Sequence, residues 1–503
     1  MKACRFLALV LIGSLQLGAA VASSAELRPP LELTIVHVSD LDRMEAREGR
    51  GGLSKLASLL GRLRAERDFV LFTHGGDALS PSFMSSFDQG RHMIELLNSL
   101  GLDAFVLGNH EFDFGREVLK ERAREANFPL LAANLLTAEG EKFAEIEDRL
   151  LLSRGDWKIG IFGLLTPDTL TSSSPGDVLI LSELEVAPQQ AEALRAEGAD
   201  FVLALAHSNR ETDLELARQG AADLILGGHD HIQHLFWPSG GSPFLETGAQ
   251  GEHVAVIELL LEENTSGETQ WLASFSFIDT SHIEADPAMR GRIESYLLEV
   301  EQELARDLAV TETRLDSRRG LLRSGETAFG NLVADALREA TNADVAIQNA
   351  GGLRGETVYP AGSLLRAGDI MGELPFLNQV VLLEVSGKTL QEVLEQGLSR
   401  APEPSGSFPQ VSGLQLRYDP HAPPGERLLE LLVEEEPLDP ERRYRLAVNS
   451  FMAGGGGGYE MLRDAKPLSH PAAQKADSMV VMDYLRELGR VAPRIEGRIS
   501  ALD

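Results

Sequence analysis

Short apolar runs that each end in a cluster of polar side chains recur five times in the first half of the chain. Residues 33–38 lead into Ser39-Asp40-Leu41-Asp42, and residues 69–72 into Thr73-His74-Gly75-Gly76-Asp77. Residues 104–107 lead into Gly108-Asn109-His110-Glu111-Phe112-Asp113, residues 201–205 into Ala206-His207-Ser208-Asn209, and residues 224–226 into Gly227-Gly228-His229-Asp230-His231. Runs of this length predict buried strands. Between them, apolar positions at helical spacing predict helices over 53–66, 90–100, 116–126 and 188–198. Alternation of strand and helix from residue 31 to residue 279 implies a layered α/β domain. Residues 257–261 and 271–279 predict antiparallel strands that close it. From Pro287 to about residue 309, Ile293, Tyr296, Leu297, Val300 and Leu304 fall at i, i+3 or i+4 spacing, which predicts a charged helix linking two domains. Residues 320–503 then form a second α/β domain, and its Gly454–Gly458 run allows a tight loop beside Phe451.

Each polar cluster stands at the carboxyl end of its strand, the edge at which open α/β sheets bind ligands. Asn109 offers a carbonyl oxygen to a hard cation, and His110 serves as ligand or proton donor with Asp113 placed to orient its ring. A bland alternative for this segment is a helix start with a capping glutamate or aspartate. One strand ending in an aspartate means little, but five in succession, all followed by oxygen or imidazole donors, imply one convergent metal site. If 228–231 stays extended, His229 and His231 point the same way.

Composition narrows the setting. A chain of 503 residues exceeds the ~100–200 of one domain. Its formal net charge of −31 argues against nucleic acid polymers and anionic membranes as partners, since both need a basic footprint. The same charge repels an anionic substrate, so cations and local arginines must reverse the field at the site. At the N-terminus a short basic stretch, an apolar run over 6–17 and Ala20-Val21-Ala22 predict a cleaved secretory leader of about 25 residues, its apolar run too short for a ~20-residue span. The single cysteine, Cys4, leaves with it. The mature protein would then be exported, to a periplasm or out of the cell, and would hold no membrane segment.

The order Asp40-x-Asp42, Gly75-Gly76-Asp77, Gly108-Asn109-His110-Glu111-Phe112-Asp113, His207 and Gly228-His229-Asp230-His231 resembles the calcineurin-like metallophosphoesterases, and among them the 5′-nucleotidase and UDP-sugar hydrolase family. The second half agrees: Glu326-Thr327-Ala328-Phe329-Gly330-Asn331-Leu332, Asn349-Ala350-Gly351-Gly352-Leu353-Arg354, Pro375-Phe376-Leu377-Asn378, Phe408-Pro409-Gln410-Val411-Ser412-Gly413 and Asn449-Ser450-Phe451-Met452-Ala453-Gly454-Gly455 are similar to that family's C-terminal domain. The resemblance favours the periplasm and implies, after the leader at 1–25, a four-layer α/β/β/α metallophosphoesterase domain at 31–285, a linker helix at 286–319 and an α/β substrate-binding domain at 320–503. It also implies two divalent ions, Asp77 bridging them. Asp40, Asp42 and His231 would complete one site; Asn109, His207 and His229 would complete the other. His110 with Asp113 would be the catalytic proton donor. Phe408 and Phe451 would stack a nucleobase, and Arg354 and Asn378 would contact phosphate or sugar of a small phosphoester.

Two departures modify those expectations. Where the family has Asp-x-His this chain has Asp42, an oxygen donor in place of nitrogen, which favours Mn²⁺ or Mg²⁺ with Zn²⁺ as the alternative. Where the family has Gly-Gly-Asp-Gly-Tyr this chain has Gly457, which removes a ribose contact and weakens the expectation of nucleoside specificity. A thiosulfohydrolase-like enzyme and a non-catalytic binding protein for a phosphorylated ligand are the competing readings. The two phenylalanines argue against the first, and the His110–Asp113 pair against the second.

Overall fold

Strand β1, Leu31–Val38, buries side chains on both faces. Leu33 and Ile35 belong to one apolar cluster, Val36 and Val38 to another, as expected of a strand with layers above and below it. The protein is described by a computed structural model covering residues 28–502 except 377, 469 and 471–474. The leader expected at 1–25 lies outside the described residues.

β1 pairs in parallel with β2, Val70–His74, which pairs with β3, Ala104–Val106. The strand order of this six-stranded sheet is Thr269–Asp279, His253–Glu263, β1, β2, β3, Leu130–Leu131. A second six-stranded sheet runs Gln233–Phe236, Phe244–Thr247, Leu224–Gly228, Phe201–His207, Trp157–Leu165, Arg149–Arg154. The sheets meet through Leu33, Ile35, Leu71 and Val106 against Ile161, Leu203, Leu205 and Leu226. Helix Leu53–Glu66 packs on the outer face of the first sheet, and helices Glu183–Ala196 and Arg210–Gln219 cover the second. Four layers, α/β/β/α, result.

Two predicted elements differ from those observed. The helix expected to start at Pro188 begins at Glu183, with Pro188 inside it, because Val186 and Ala187 already face the core. The linker helix spans Pro287–Leu304 and does not fill 286–319. Its apolar stripe ends at Leu304, and Asp307–Thr311 is a strand paired with Leu364–Arg366 and Arg490–Val491. No helix among the described residues is long and apolar enough to cross a membrane.

The C-terminal half centres on a five-stranded sheet ordered Pro409–Ser412, Val345–Asn349, Arg443–Asn449, Val380–Ser386, Lys466–Pro467. Helices Ala328–Thr341, Gly387–Leu398 and Asp477–Leu488 pack around it, over a large core on one side and a smaller cluster of Leu337, Ala346, Val380, Leu382, Ala447 and Val480. Phe83 and Leu304 touch the large core and also that of the first sheet.

Candidate active site

Because β1, β2 and β3 run in parallel and Phe201–His207 and Leu224–Gly228 do likewise in the facing sheet, their carboxyl ends gather the five polar clusters in one place. Four of the gathered residues have left-handed backbone: Asp40 (φ 52°), Asp77 (φ 56°), His229 (φ 100°) and His231 (φ 58°). Such conformations cost about 1–3 kcal/mol each for residues with a side chain and concentrate at functional sites. Glycines let the loops close in: a Cβ on Gly108 would lie 2.1 Å from Asp77 Oδ1, and one on Gly76 would lie 2.6 Å from His207 Nδ1.

His207 sets the geometry of the centre. Its Nδ1 faces the Gly75 carbonyl at 2.7 Å and so carries a proton, which leaves Nε2 as the atom directed inward. There Nε2 meets Asp77 Oδ2 at 3.2 Å, Asn109 Oδ1 at 3.2 Å and His229 Nδ1 at 3.3 Å. Donor atoms of Asp77, His207 and His229 all lie within 4.8 Å of one another. Groups converging in this way call for positive charge among them, a proton or a cation, and this mixture of nitrogen and oxygen donors fits a divalent metal. Electrostatics agree. Burial opposes charge on His207, yet Asp77 and Asp40 outweigh it and hold the ring up at about 10. Burial likewise would raise the Asp77 carboxyl, but His207 and His110 hold it well below the usual carboxylate range. On the other flank Asp40 accepts the His229 backbone N–H at 3.2 Å and faces His231 Nε2 at 3.3 Å. Asp42 is buried beside this group, but its Oδ1 accepts a short hydrogen bond from the Gln250 amide.

His110 stands one-third exposed at the rim. Its Nδ1 donates to Asp113 Oδ2 at 2.7 Å, and its Nε2 lies 4.0 Å from Asp77 Oδ2. Burial works against the imidazolium, but Asp113 and Asp77 outweigh it and bring the pKa to about 10. Asp113 is itself held by the hydroxyls of Ser80 and Ser173, both at 2.7 Å. His37 and His74 play no such part. Burial pushes them down to about 4 and about 3, His37 bridging Thr73 and the Gly227 carbonyl and His74 stacking on Phe105.

Glu111 is the residue the sequence underrated. As the capping reading allows, its carboxylate accepts the Gly108 N–H at 2.6 Å. It also accepts the N–H groups of Asp77 (2.9 Å), Ala78 (2.8 Å) and Leu79 (3.1 Å). One buried side chain thereby clamps the strained Asp77 loop to the His110 segment. Its position in the same motif as His110 was the available signal.

In the C-terminal half, Arg354, Asn378 and Phe451 line a cavity of about 680 Å³, together with Phe376 and Gly457. The Arg354 guanidinium lies 5.0 Å over the Phe376 ring, and its Nε donates to the Gly351 carbonyl at 2.9 Å. Phe408 corrects an expectation. It is 2% exposed, packs in the domain core and does not line the cavity, so the paired-phenylalanine clamp is not formed. Its backbone explains this: Phe408 bonds Ser405 and Ala350 as it enters the buried edge strand Pro409–Ser412, which turns the ring to the core. Every residue lining this cavity belongs to the C-terminal half.

Comparison with known proteins agrees with this geometry. The calcineurin-like phosphoesterase family model matches residues 33–233, and the model of the 5′-nucleotidase C-terminal domain matches residues 307–464. The chain is 28% identical to a snake venom 5′-nucleotidase from Gloydius brevicauda, covering 98% of this chain and 92% of that one. It is also 28% identical to a trifunctional nucleotide phosphoesterase protein of Bacillus subtilis over 93% of its own length, though it spans only 35% of that protein. A solved 5′-nucleotidase precursor from Thermus thermophilus superposes with a TM-score of 0.57 at 28% identity, over 94% of this chain and 100% of the other.

Proposed function

Since the chain belongs to the calcineurin-like phosphoesterases that carry a 5′-nucleotidase C-terminal domain, and is thus a metal-dependent phosphoester hydrolase, we propose that it is an exported, binuclear enzyme acting on small phosphomonoesters. The observation that carries this reading is the convergence of His207, Asp77, Asn109 and His229 donor atoms at the strand ends. Asp77 would be shared between two divalent ions; Asn109, His207 and His229 would hold one, and Asp40, His231 and Asp42 the other. Asp42 would have to give up Gln250 to do so. Bound there, the ions supply Lewis-acid polarisation of the phosphoryl group and an activated water.

The chain's own groups do the rest. His110, kept protonated by Asp113, presents Nε2–H toward the shared carboxylate, where it stabilises charge on the phosphoryl oxygens and protonates the leaving oxygen as its bond to phosphorus breaks. The C-terminal cavity receives the leaving group, with Phe451 and Phe376 as apolar faces and Arg354 and Asn378 as polar contacts. Export to the periplasm rests on the sequence of residues 1–25, and N-terminal sequencing of the secreted protein checks it.

Protein purified without chelator is expected to contain about two Mn²⁺ or Mg²⁺ per chain and to hydrolyse p-nitrophenyl phosphate. Tightly held zinc would contradict the harder-ion assignment, and less than one metal of any kind would defeat the binuclear one. His110→Ala is expected to lower kcat by ~10²–10⁴-fold, the range of a positioned acid, with metal content unchanged.

A further inference from the structure

We propose that Ser173 is a positioning residue for the proton donor, the far end of a hydrogen-bonded strut that runs from the metal-binding cluster to His110. This rests on the proposed function, in which His110 protonates the leaving oxygen. The His110 ring is one-third exposed, and among the described residues Asp113 is the acceptor it meets, through Nδ1 at 2.7 Å. A ring tied at one nitrogen pivots about that bond, so the plane of the Asp113 carboxylate decides where Nε2 points. That plane is fixed at both oxygens. Ser80 Oγ donates to Oδ2, the oxygen that also accepts His110, and Ser173 Oγ donates to Oδ1, each at 2.7 Å.

The two serines reach Asp113 from different sheets. Ser80 follows β2 and moves with the Asp77 loop that Glu111 clamps. Ser173 follows strand Trp157–Leu165 of the second sheet, just past the short helix Thr169–Ser172. The segment 166–173 is anchored at its start to the strand end that carries His207. There the Thr166 N–H donates to the His207 carbonyl at 2.8 Å, and Asp168 Oδ2 accepts the Asn209 amide at 2.8 Å. Inside the segment, buried Thr169 donates its hydroxyl to the carbonyl of buried Thr166 at 2.7 Å, and the Ser173 N–H returns to the Thr169 carbonyl at 3.2 Å. One short, internally bonded piece of chain thus spans His207 and Asp113 and sets the separation of the metal cluster from the donor. Catalysis is sensitive to that separation, since a misplacement of about 1 Å can cost ~10²-fold in rate. Ser80 alone holds one oxygen and leaves the carboxylate free to turn about it.

The test compares the parent, Ser173→Ala, His110→Ala and the double variant, each with Mn²⁺ and p-nitrophenyl phosphate. Ser173→Ala is expected to lower kcat about tenfold, with KM and metal content unchanged. In the His110→Ala background the same substitution should have almost no further effect, because it acts through a ring no longer present. Ser173→Thr keeps the hydroxyl and should recover most of the parent's kcat. A Ser173→Ala variant as active as the parent, or a loss that persists in the His110→Ala background, overturns the inference and leaves the phosphoesterase reading intact. Crystal structures of the parent and Ser173→Ala supply a readout that needs no turnover: His110 Nε2 should shift by about 1 Å or more from its place beside Asp77. An unmoved ring overturns the inference. A parent that hydrolyses no phosphomonoester with any divalent metal sinks the proposed function instead, and the position of the ring then still decides whether Ser173 places it.

Discussion

At the scale of single residues, Glu111 illustrates how a side chain outside the chemistry can govern it. Four backbone N–H groups end on its carboxylate, three of them from Asp77 and the two residues after it. Hydrogen bonds to a charged group are each worth about 1.5–3 kcal/mol, similar to the backbone strain at Asp77 that they offset. Glu111→Gln keeps the shape but turns an amide toward donors that need acceptors. It is expected to cost about 2 kcal/mol of stability, the scale of one such bond. Measured well below both melting temperatures, it should weaken Mn²⁺ binding more than tenfold. A variant that is less stable yet binds the metal unchanged would reduce Glu111 to a structural cap. The same scale explains Phe408 and Phe451. Phe408 precedes strand Pro409–Ser412 and its ring is buried, whereas Phe451 stands in the helical turn Ser450–Ala453 and its ring is 48% exposed.

At the scale of elements, helix Asp477–Leu488 carries a buried acid at its first residue. Burial pushes the Asp477 carboxyl up to about 8. Between about pH 4 and pH 8 the unfolded chain has lost this proton while the folded chain keeps it. Stability therefore falls as pH rises through that window, by at most about 1.4 kcal/mol for each pH unit crossed. Asp477→Asn cannot ionise. Its melting temperature should equal the parent's near pH 4 and exceed it by a growing margin toward pH 8, whereas a constant difference across a pH series would contradict this origin. The helix also matters to the site, because the Asp477 N–H donates to the Asn378 carbonyl at the cavity edge.

At the scale of the whole molecule, the proposed reaction uses two surfaces that share no lining residue among the described residues. The helix Pro287–Leu304 is anchored in the N-terminal half through Met289, Ile293 and Val300, and reaches the other core only at Leu304. We place the hinge in residues 305–307, just beyond that contact, with Phe83 as the other residue touching both cores. Small-angle scattering with Mn²⁺ and a nonhydrolysable phosphonate should show a smaller radius of gyration than the free protein. An unchanged profile would argue that substrate spans the two surfaces without closure.

Along the chain itself, strand ends carrying Asp40, Asp77, Asn109, His207 and His229 were legible because continuous apolar runs and their polar termination are local patterns. The same holds for the helix at 53–66 and for the layered α/β class, whereas the four-layer order followed from the family resemblance. Other features depend on residues far apart in sequence. Asp42 meets Gln250, Glu111 reaches back to residues 77–79, and Arg323 and Arg400 join Arg354 around one cavity. Periodicity reports whether a side chain is buried, not which partner it finds; sheet register and loop closure choose the partner. The sequence by itself determined which strands end in metal-binding chemistry. Only the tertiary structure decided that Phe408 faces the core and that Arg323, Arg354 and Arg400 line one cavity, because both follow from long-range packing that no local pattern encodes.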